Sequence, residues 1–250
     1  MNSEPGYERC LAFINSQSQA TNPGGYGSST SRKAAVTISR QAGCGALVVA
    51  RKLALCLKNR RPGEHSEWAI FDRNLVEKVL EDHNLPKRLA RFMAEDRISE
   101  MSDTMDELFG LHPPSWLLVR QTAETIFRLA EMGNVILIGR GGNIVTGKLR
   151  HVFHVRLVGS LEKRTEHIES ADGLGPKEAA DFIRREDLGR GRYLKKYFSR
   201  DIDDPLLYHL VINTDLVPYD QAAWLIAKAI CQKEETAAGK SRWDLKALNT

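Results

Sequence analysis

Three charged residues spaced three apart, Arg184, Asp187 and Arg190, are the side chains in this sequence best suited to chemistry on an anion. On a helix, residues at that spacing are neighbours on adjoining turns. The spacing therefore predicts one face that presents two guanidiniums to a phosphate, with the carboxylate holding an arginine in position. Phosphoryl transfer needs such cations, because negative charge spreads over the oxygens of the moving group in the transition state. The other reading of the run is a solvated helix laced by its own ion pairs.

A second constellation lies near the start of the chain. Residues 36–54 read as a short β-branched run, a tight glycine turn and an amphipathic helix. That layout is a phosphate cradle, with backbone N–H groups and a helix N-terminus turned to the anion. Ser39, Arg40, Gly43, Cys44, Gly45 and Ala46 are the residues that would line it. Laid on the pattern G-x-x-x-x-G-K-[ST], Arg40 takes the first glycine, Gly45 the last, Ala46 the lysine and Leu47 the hydroxyl residue. The turn is present and two of its usual side chains are not. Cys44 is either a thiol activated by the helix N-terminus or a small residue filling a tight loop, and the second reading is the simpler.

The elements that must position these groups alternate in period. Strand-like runs fall at 36–38, 68–71, 135–138, 151–158 and 210–212, the run at 135–138 being apolar at every position. Helical spacing follows in Val49, Leu53, Cys56 and Leu57, and in Val119, Ala123, Ile126, Phe127 and Ala130 after Pro113-Pro114, with Gly133 at the stop. A charged helix is predicted over 75–101 with a break at Pro86, and an irregular stretch over 101–111. Further helices are predicted over 161–169, 176–196 and 218–231, the last with Ala222, Leu225, Ile226 and Ala229 inward. Strands alternating with helices specify an α/β fold, a parallel sheet with helices on both faces. Ligands of such sheets bind at the carboxyl ends of the strands. Four polar loops follow predicted strands: 39–45, Asp72, 139–143 and 213–215. Their convergence on one sheet edge predicts a site, and in it Arg140 offers a guanidinium within a glycine turn.

At 250 residues and 42% hydrophobic, the chain can bury one good core. A folded domain is expected over 34–231, with residues 1–33 a disordered N-terminal segment and 232–250 a charged C-terminal tail anchored only by Trp243. The low apolar content of 15–31 underlies the first expectation, while the patch Leu11-Ala-Phe-Ile14 could dock on the domain. A net charge of +4 without a run of like charges does not favour nucleic acid as a partner. The four cysteines, Cys10, Cys44, Cys56 and Cys231, have no metal-ligand spacing and no framework spacing. No apolar run has the length to span a bilayer, and no signal pattern opens the chain, so a cytoplasmic location is expected. Nothing in the pattern specifies a metal or an oligomeric state.

With these pieces in order, the chain resembles the cytidylate kinase-like family, relatives of bacterial CMP kinases within the nucleoside monophosphate kinase group. The matching pieces are Ile38-Ser-Arg-Gln-Ala-Gly-Cys-Gly45, Phe71-Asp-Arg73, Ile138-Gly-Arg-Gly-Gly-Asn143, Val155-Arg-Leu-Val158 with Arg164, Asp187-x-x-Arg190-x-x-Tyr193, and the block from Asp204 to Thr214. The resemblance implies a P-loop kinase-type three-layer fold with a helical lid, expected at about 176–200 with hinges near Gly173/Gly175 and at Gly189 or Gly191. It implies ATP and Mg²⁺ as cofactors and a small-molecule nucleotide substrate, CMP or dCMP. Gly43 to Ala46 would line the phosphates, Asp72 and Arg140 the monophosphate pocket, and Arg184, Asp187 and Arg190 the lid. Since Ala46 and Leu47 cannot act as lysine and Mg²⁺ ligand, Arg40 or Arg51 would supply the missing cation and Ser39 would neighbour the metal. A catalytically silent nucleotide-binding or regulatory module on the same fold is the alternative expectation.

Overall fold

Five short apolar runs become strands: β1 (Ala35–Arg40), β2 (Ala69–Phe71), β3 (Val135–Ile138), β4 (Val152–Val158) and β5 (Leu210–Asn213). The computed structural model describes residues 8, 11–16, 33–58, 67–72, 74, 76, 95–109 and 116–237. Within them the strands form one sheet in the order β2-β3-β1-β4-β5, every pair parallel. Parallel neighbours cannot be joined by a tight turn, so helices carry the chain back across the sheet. These are α1 (Ala46–Lys58), α2 (Glu95–Phe109), α3 (Leu117–Met132), the short α4 (Gly142–Val145), α5 (Leu161–Asp172), α6 (Pro176–Phe198) and α7 (Tyr219–Ala237).

Successive strand residues point to opposite faces, and both faces are covered. Val36, Ile38, Ile136, Ile138 and Leu157 pack under α1 and α7. Ala35, Val135 and Leu137 pack under α2, α3 and the end of α6, where Leu194 and Phe198 are buried. The α/β fold with helices on both faces of a parallel sheet is therefore as expected.

Four expectations about elements need correction or extension. The 101–111 stretch is helical as far as Phe109, because Met101, Met105 and Phe109 recur every fourth residue and bury against the α3 side. Leu225 is not inward; it is 41% exposed, and Ala223, Ala227 and Ile230 share the buried stripe with Ala222 and Ile226. The folded unit reaches back to a helical stretch at 11–16, whose Phe13 and Ile14 are buried in the α2–α3 core. It also reaches forward, since α7 runs to Ala237 and Lys233 Nζ donates to the Val152 carbonyl. Residues 75 and 77–94 of the expected helix, Pro113-Pro114, most of 15–31 and Trp243 lie outside the described residues. No helix among the described residues is long and apolar enough to cross a membrane.

One sheet face changes character along its length. On the α3 side, β1 runs Ala35, Thr37, Ser39 and β4 runs Val152, His154, Arg156, apolar at the start and polar at the carboxyl end. The parallel register pairs Thr37 with His154 and Ser39 with Arg156. Thr37 Oγ1 lies 2.8 Å from His154 Nδ1, and Arg156 Nη1 donates to Ser39 Oγ at 3.0 Å. All four side chains are buried, so each must find its partner inside the protein.

Burial, with His209 and Lys233 nearby, pushes His154 down to about 3 from the ordinary 6.5. His154 is thus neutral in the fold and takes up a proton only on unfolding. Stability from this group is complete above pH 6.5 and falls as the pH drops toward 3, because the unfolded chain binds the proton. The loss amounts to about 1.4 kcal/mol per pH unit in that window. Urea denaturation between pH 7 and pH 4 should show the midpoint falling, and His154→Gln should flatten the dependence. A wild-type midpoint that is level across that range would contradict the assignment.

Candidate active site

At the carboxyl ends of β1 and β3 lies a cavity of about 200 Å³. Its floor is Thr37, Ser39 and Arg40 from β1 with Gly139 to Asn143 after β3, and its roof is Glu186, Arg190 and Tyr193 of α6. Three guanidiniums, those of Arg40, Arg140 and Arg190, therefore belong to one cavity, opposed by the carboxylate of Glu186.

Arg40 is the one whose burial shifts its proton affinity. Burial, and then the neighbouring Arg190, push it down to about 10, while Glu186 and Asp72 work in the opposite direction. At neutral pH it remains a cation, held in a poorly hydrated position where its field is strong. Its place depends on Gly139. That residue has φ +87°, and a Cβ there would stand 2.0 Å from Arg40 Nη1. Arg140 itself sits at φ 56°, an uncommon region for a side-chain-bearing residue, and its guanidinium lies 5.7 Å from the Tyr193 ring centroid. Asn143 is only 6% exposed, and its Nδ2 has no hydrogen-bond partner among the described residues. A buried amide without an acceptor is costly, and a ligand oxygen in this cavity would supply one.

The predicted phosphate loop, 41–45, connects β1 to α1 beside this cavity. Gly43 and Gly45 take φ +84° and +63°. A Cβ on Gly43 would stand 2.6 Å from the Arg164 carbonyl oxygen, and one on Gly45 2.4 Å from the Tyr219 ring. The glycines are thus required by close packing as well as by the turn. Arg164, buried on α5, donates through Nη1 to the Ala42 carbonyl at 3.0 Å and through Nε to the Gly159 carbonyl at 2.9 Å. Its Nη1 also donates to Asp187 Oδ2 at 2.6 Å. Asp187 Oδ1 in turn accepts from the Ala42 backbone N–H at 2.7 Å and from Arg190 Nη1 at 3.0 Å. Arg190 Nη2 donates to Glu186 at 3.0 Å. One arginine therefore links the loop to the cavity.

Beneath them Arg156, 3% exposed, fixes the floor. It donates to Ser39 Oγ and to Asp203, and its guanidinium lies 5.7 Å from the Tyr208 ring centroid. The Tyr208 hydroxyl donates to the Ile202 carbonyl at 2.8 Å and lies 3.3 Å from Ser39 Oγ. The segment after α6 is thereby pinned to the sheet edge, which brings Ile202 to the cavity wall.

The expected site residues divide as follows. Ser39, Arg40, Arg140, Asp187 and Arg190 meet in one region, with Gly43, Cys44 and Gly45 forming the turn beside it. Asp72 belongs to the same edge through its electrostatic effect on Arg40. Arg184 does not join them: its side chain is 63% exposed and its Nη1 donates to Asp181. The reason is rotation. Each step of three residues turns the helix direction by about 60°, so Arg184 stands about 120° away from Arg190. Arg51 is exposed on α1, and Leu47 is 41% exposed. Of the two cations suggested for the missing lysine, only Arg40 lines the cavity. Burial pushes the Cys44 thiol up, against the reading as an activated nucleophile. Gly189 and Gly191 do not interrupt α6, which runs through both.

Residues 213–215 do reach the same edge, on the far side of the loop. Asp215 Oδ2 accepts from the Ser160 N–H at 2.8 Å, and Thr214 Oγ1 donates to the Val158 carbonyl at 3.1 Å. Sequence reasoning gave no role to Arg156 or Glu186, named Arg164 only among the matching family pieces, and reached Asn143 only as the end of the 139–143 loop. A signal for Arg156 was present: a strand of otherwise apolar residues with His154 and Arg156 two apart must turn both to one face.

A model of the cytidylate kinase-like family matches residues 35–216. Among solved structures, an uncharacterized protein from Eubacterium ventriosum ATCC 27560 superposes with TM-score 0.61 at 19% identity, covering 80% of this chain and 98% of that one. Shikimate kinase from Bacteroides thetaiotaomicron gives TM-score 0.37 at 14% identity, covering 82% and 98%. A uronate isomerase of Corynebacterium glutamicum is 28% identical over 116 residues, 46% of this chain and 22% of that protein. The chain thus spans about a fifth of the length of that curated relative.

Proposed function

The chain belongs to the cytidylate kinase-like family, and on that premise we propose that it transfers a phosphoryl group from ATP to a nucleoside monophosphate, CMP or dCMP. The observation that carries this reading is the set of three guanidiniums, Arg40, Arg140 and Arg190, around one cavity at the carboxyl edge of a parallel sheet. That set suits the phosphate of an acceptor nucleotide, and the Nδ2 of Asn143 suits one of its oxygens. The 41–45 loop is the place for the donor phosphates, with Arg164 and Arg190 as the cations beside it.

No covalent nucleophile is needed. The acceptor phosphate attacks the γ-phosphate in line, and the enzyme contributes positioning and charge. Arg190, which lines the cavity and donates to the Asp187 carboxylate that the loop holds, is assigned to the charge that develops between the two nucleotides. Before the nucleotides bind, Asp187 holds Arg164 and Arg190. Arg40 and Arg140 orient the acceptor. Among the described residues no group of three His, Cys, Asp or Glu is placed to hold a metal ion, so a Mg²⁺ arriving with ATP would be held by the nucleotide phosphates and water, with one or two protein carboxylates at most. Ser39 Oγ, the suggested neighbour, already accepts from the Arg156 guanidinium. The protein's own share of the charge compensation is therefore assigned to the arginines.

The same geometry supports a silent nucleotide-binding module, and Ala46 and Leu47 at the lysine and hydroxyl positions favour it. Turnover and binding measured together separate the two. With MgATP, the protein should convert CMP or dCMP to the diphosphate, and calorimetry should show both nucleotides binding. Binding without turnover of any common nucleoside monophosphate would favour the silent module. Neither binding nor turnover, in protein shown to be folded, would overturn both.

A further inference from the structure

The carboxylate of Asp187 is bound by the 41–45 loop and by two arginines beside it. Its Oδ1 takes the Ala42 backbone N–H at 2.7 Å and Arg190 Nη1 at 3.0 Å, and its Oδ2 takes Arg164 Nη1 at 2.6 Å. One backbone amide and two guanidiniums around two negative oxygens form the donor set that a phosphate group uses. We infer that Asp187 is a built-in anion that latches α6 onto the loop, and that donor phosphates bind by displacing it. The inference rests on the reading of 41–45 as a phosphate loop and adds a regulatory step to it. In the latched state the loop's amide and its two arginines are committed to the protein's own carboxylate. An incoming phosphate inherits Arg164 and Arg190 only as Asp187 withdraws. Binding of the donor and release of the first half of α6 are thus one event.

The packing of α6 suits such a movement. Its second half is anchored by Leu194 and Phe198 in the main core. Its first half buries only Ala179 and Ile183, in a small cluster with Ala42 and Ile168. Ala42 is in that cluster and also donates to Asp187, so loop and helix share both an apolar and a polar contact. Gly175, at the N-cap of α6, and Gly189, within it, have no neighbour within 4 Å of where a Cβ would be.

A contrasting account makes Asp187 a permanent counter-ion for the buried Arg164. Titration of the full chain with inorganic tripolyphosphate, in wild type and in Asp187→Asn, distinguishes them. The neutral amide keeps the shape and weakens the competition, so the latch predicts that the variant binds roughly tenfold tighter or more. Equal or weaker binding by the folded variant, with a lower melting temperature, makes Asp187 a structural counter-ion. That outcome overturns the latch and leaves the phosphate loop standing. Absence of binding to either protein overturns both. If the variant does not fold, hydrogen exchange on the wild type decides. Tripolyphosphate should protect 41–46 while residues 176–187 lose protection, whereas unchanged or increased protection of 176–187 overturns the latch.

Discussion

Replacing Arg190 with alanine is expected to lower kcat for phosphoryl transfer by about a hundredfold or more, the usual cost of removing one preorganised charge from a transition state. Arg190 is the side chain that both lines the cavity and donates to Asp187 at the loop. Its loss leaves Asp187 paired with Arg164, so the loop keeps a counter-ion and the fold survives. The arginine is 21% exposed, and its ion pairs with Glu186 and Asp187 are partly solvated. Losing them should cost stability only about 1 kcal/mol. Steady-state kinetics at saturating ATP and acceptor, beside a thermal melt, test this directly. Arg190→Lys restores a charge without the planar fork and should recover only part of the rate. An alanine variant with unchanged kcat would remove Arg190 from the mechanism.

Gly139→Ala is expected to abolish most acceptor binding without touching a charged residue. An alanine at φ +87° carries about 1–2 kcal/mol of backbone strain. The larger effect is steric, since its Cβ would fall 2.0 Å from Arg40 Nη1 and 3.1 Å from Cζ. The guanidinium must leave its place in the cavity. Calorimetric titration with CMP should therefore show a loss of roughly 10- to 100-fold, matching that of Arg40→Gln, as expected for one charged hydrogen-bonding group. Gly133→Ala is the control. It has a similar positive φ of 70°, and its Cβ would meet the backbone of Lys33, away from the cavity. It should lose stability while binding CMP normally. Equal loss of binding in both glycine variants would mean that strain, and not Arg40, explains the effect.

Much of the architecture was legible in the order of residues because it depends on local period. Apolar 135–138, the turn at 41–45 and the alternation of strands with helices specify a parallel sheet. The chain's connectivity then places 39–45, Asp72, 139–143 and 213–215 on the one edge where carboxyl ends meet. Helical stripes were legible for the same reason, apart from Leu225, whose inward assignment depended on which face α7 presents to the sheet. The run from Met101 to Phe109 carried a four-residue repeat that only its burial against α3 made decisive.

The membership of the site was decided by tertiary structure. Ser39 and Arg156 are 117 residues apart, and only the parallel register of β1 and β4 makes them partners. Arg164 reaches the loop from another helix, 122 residues beyond Ala42. Arg184 and Arg190, which looked equivalent along the chain, are separated by the rotation of α6, so one is solvated and the other lines the cavity. A spacing records the phase of a residue on its own element. Which phase faces a loop far away in sequence is set by how the elements pack, and packing is a property of the whole chain.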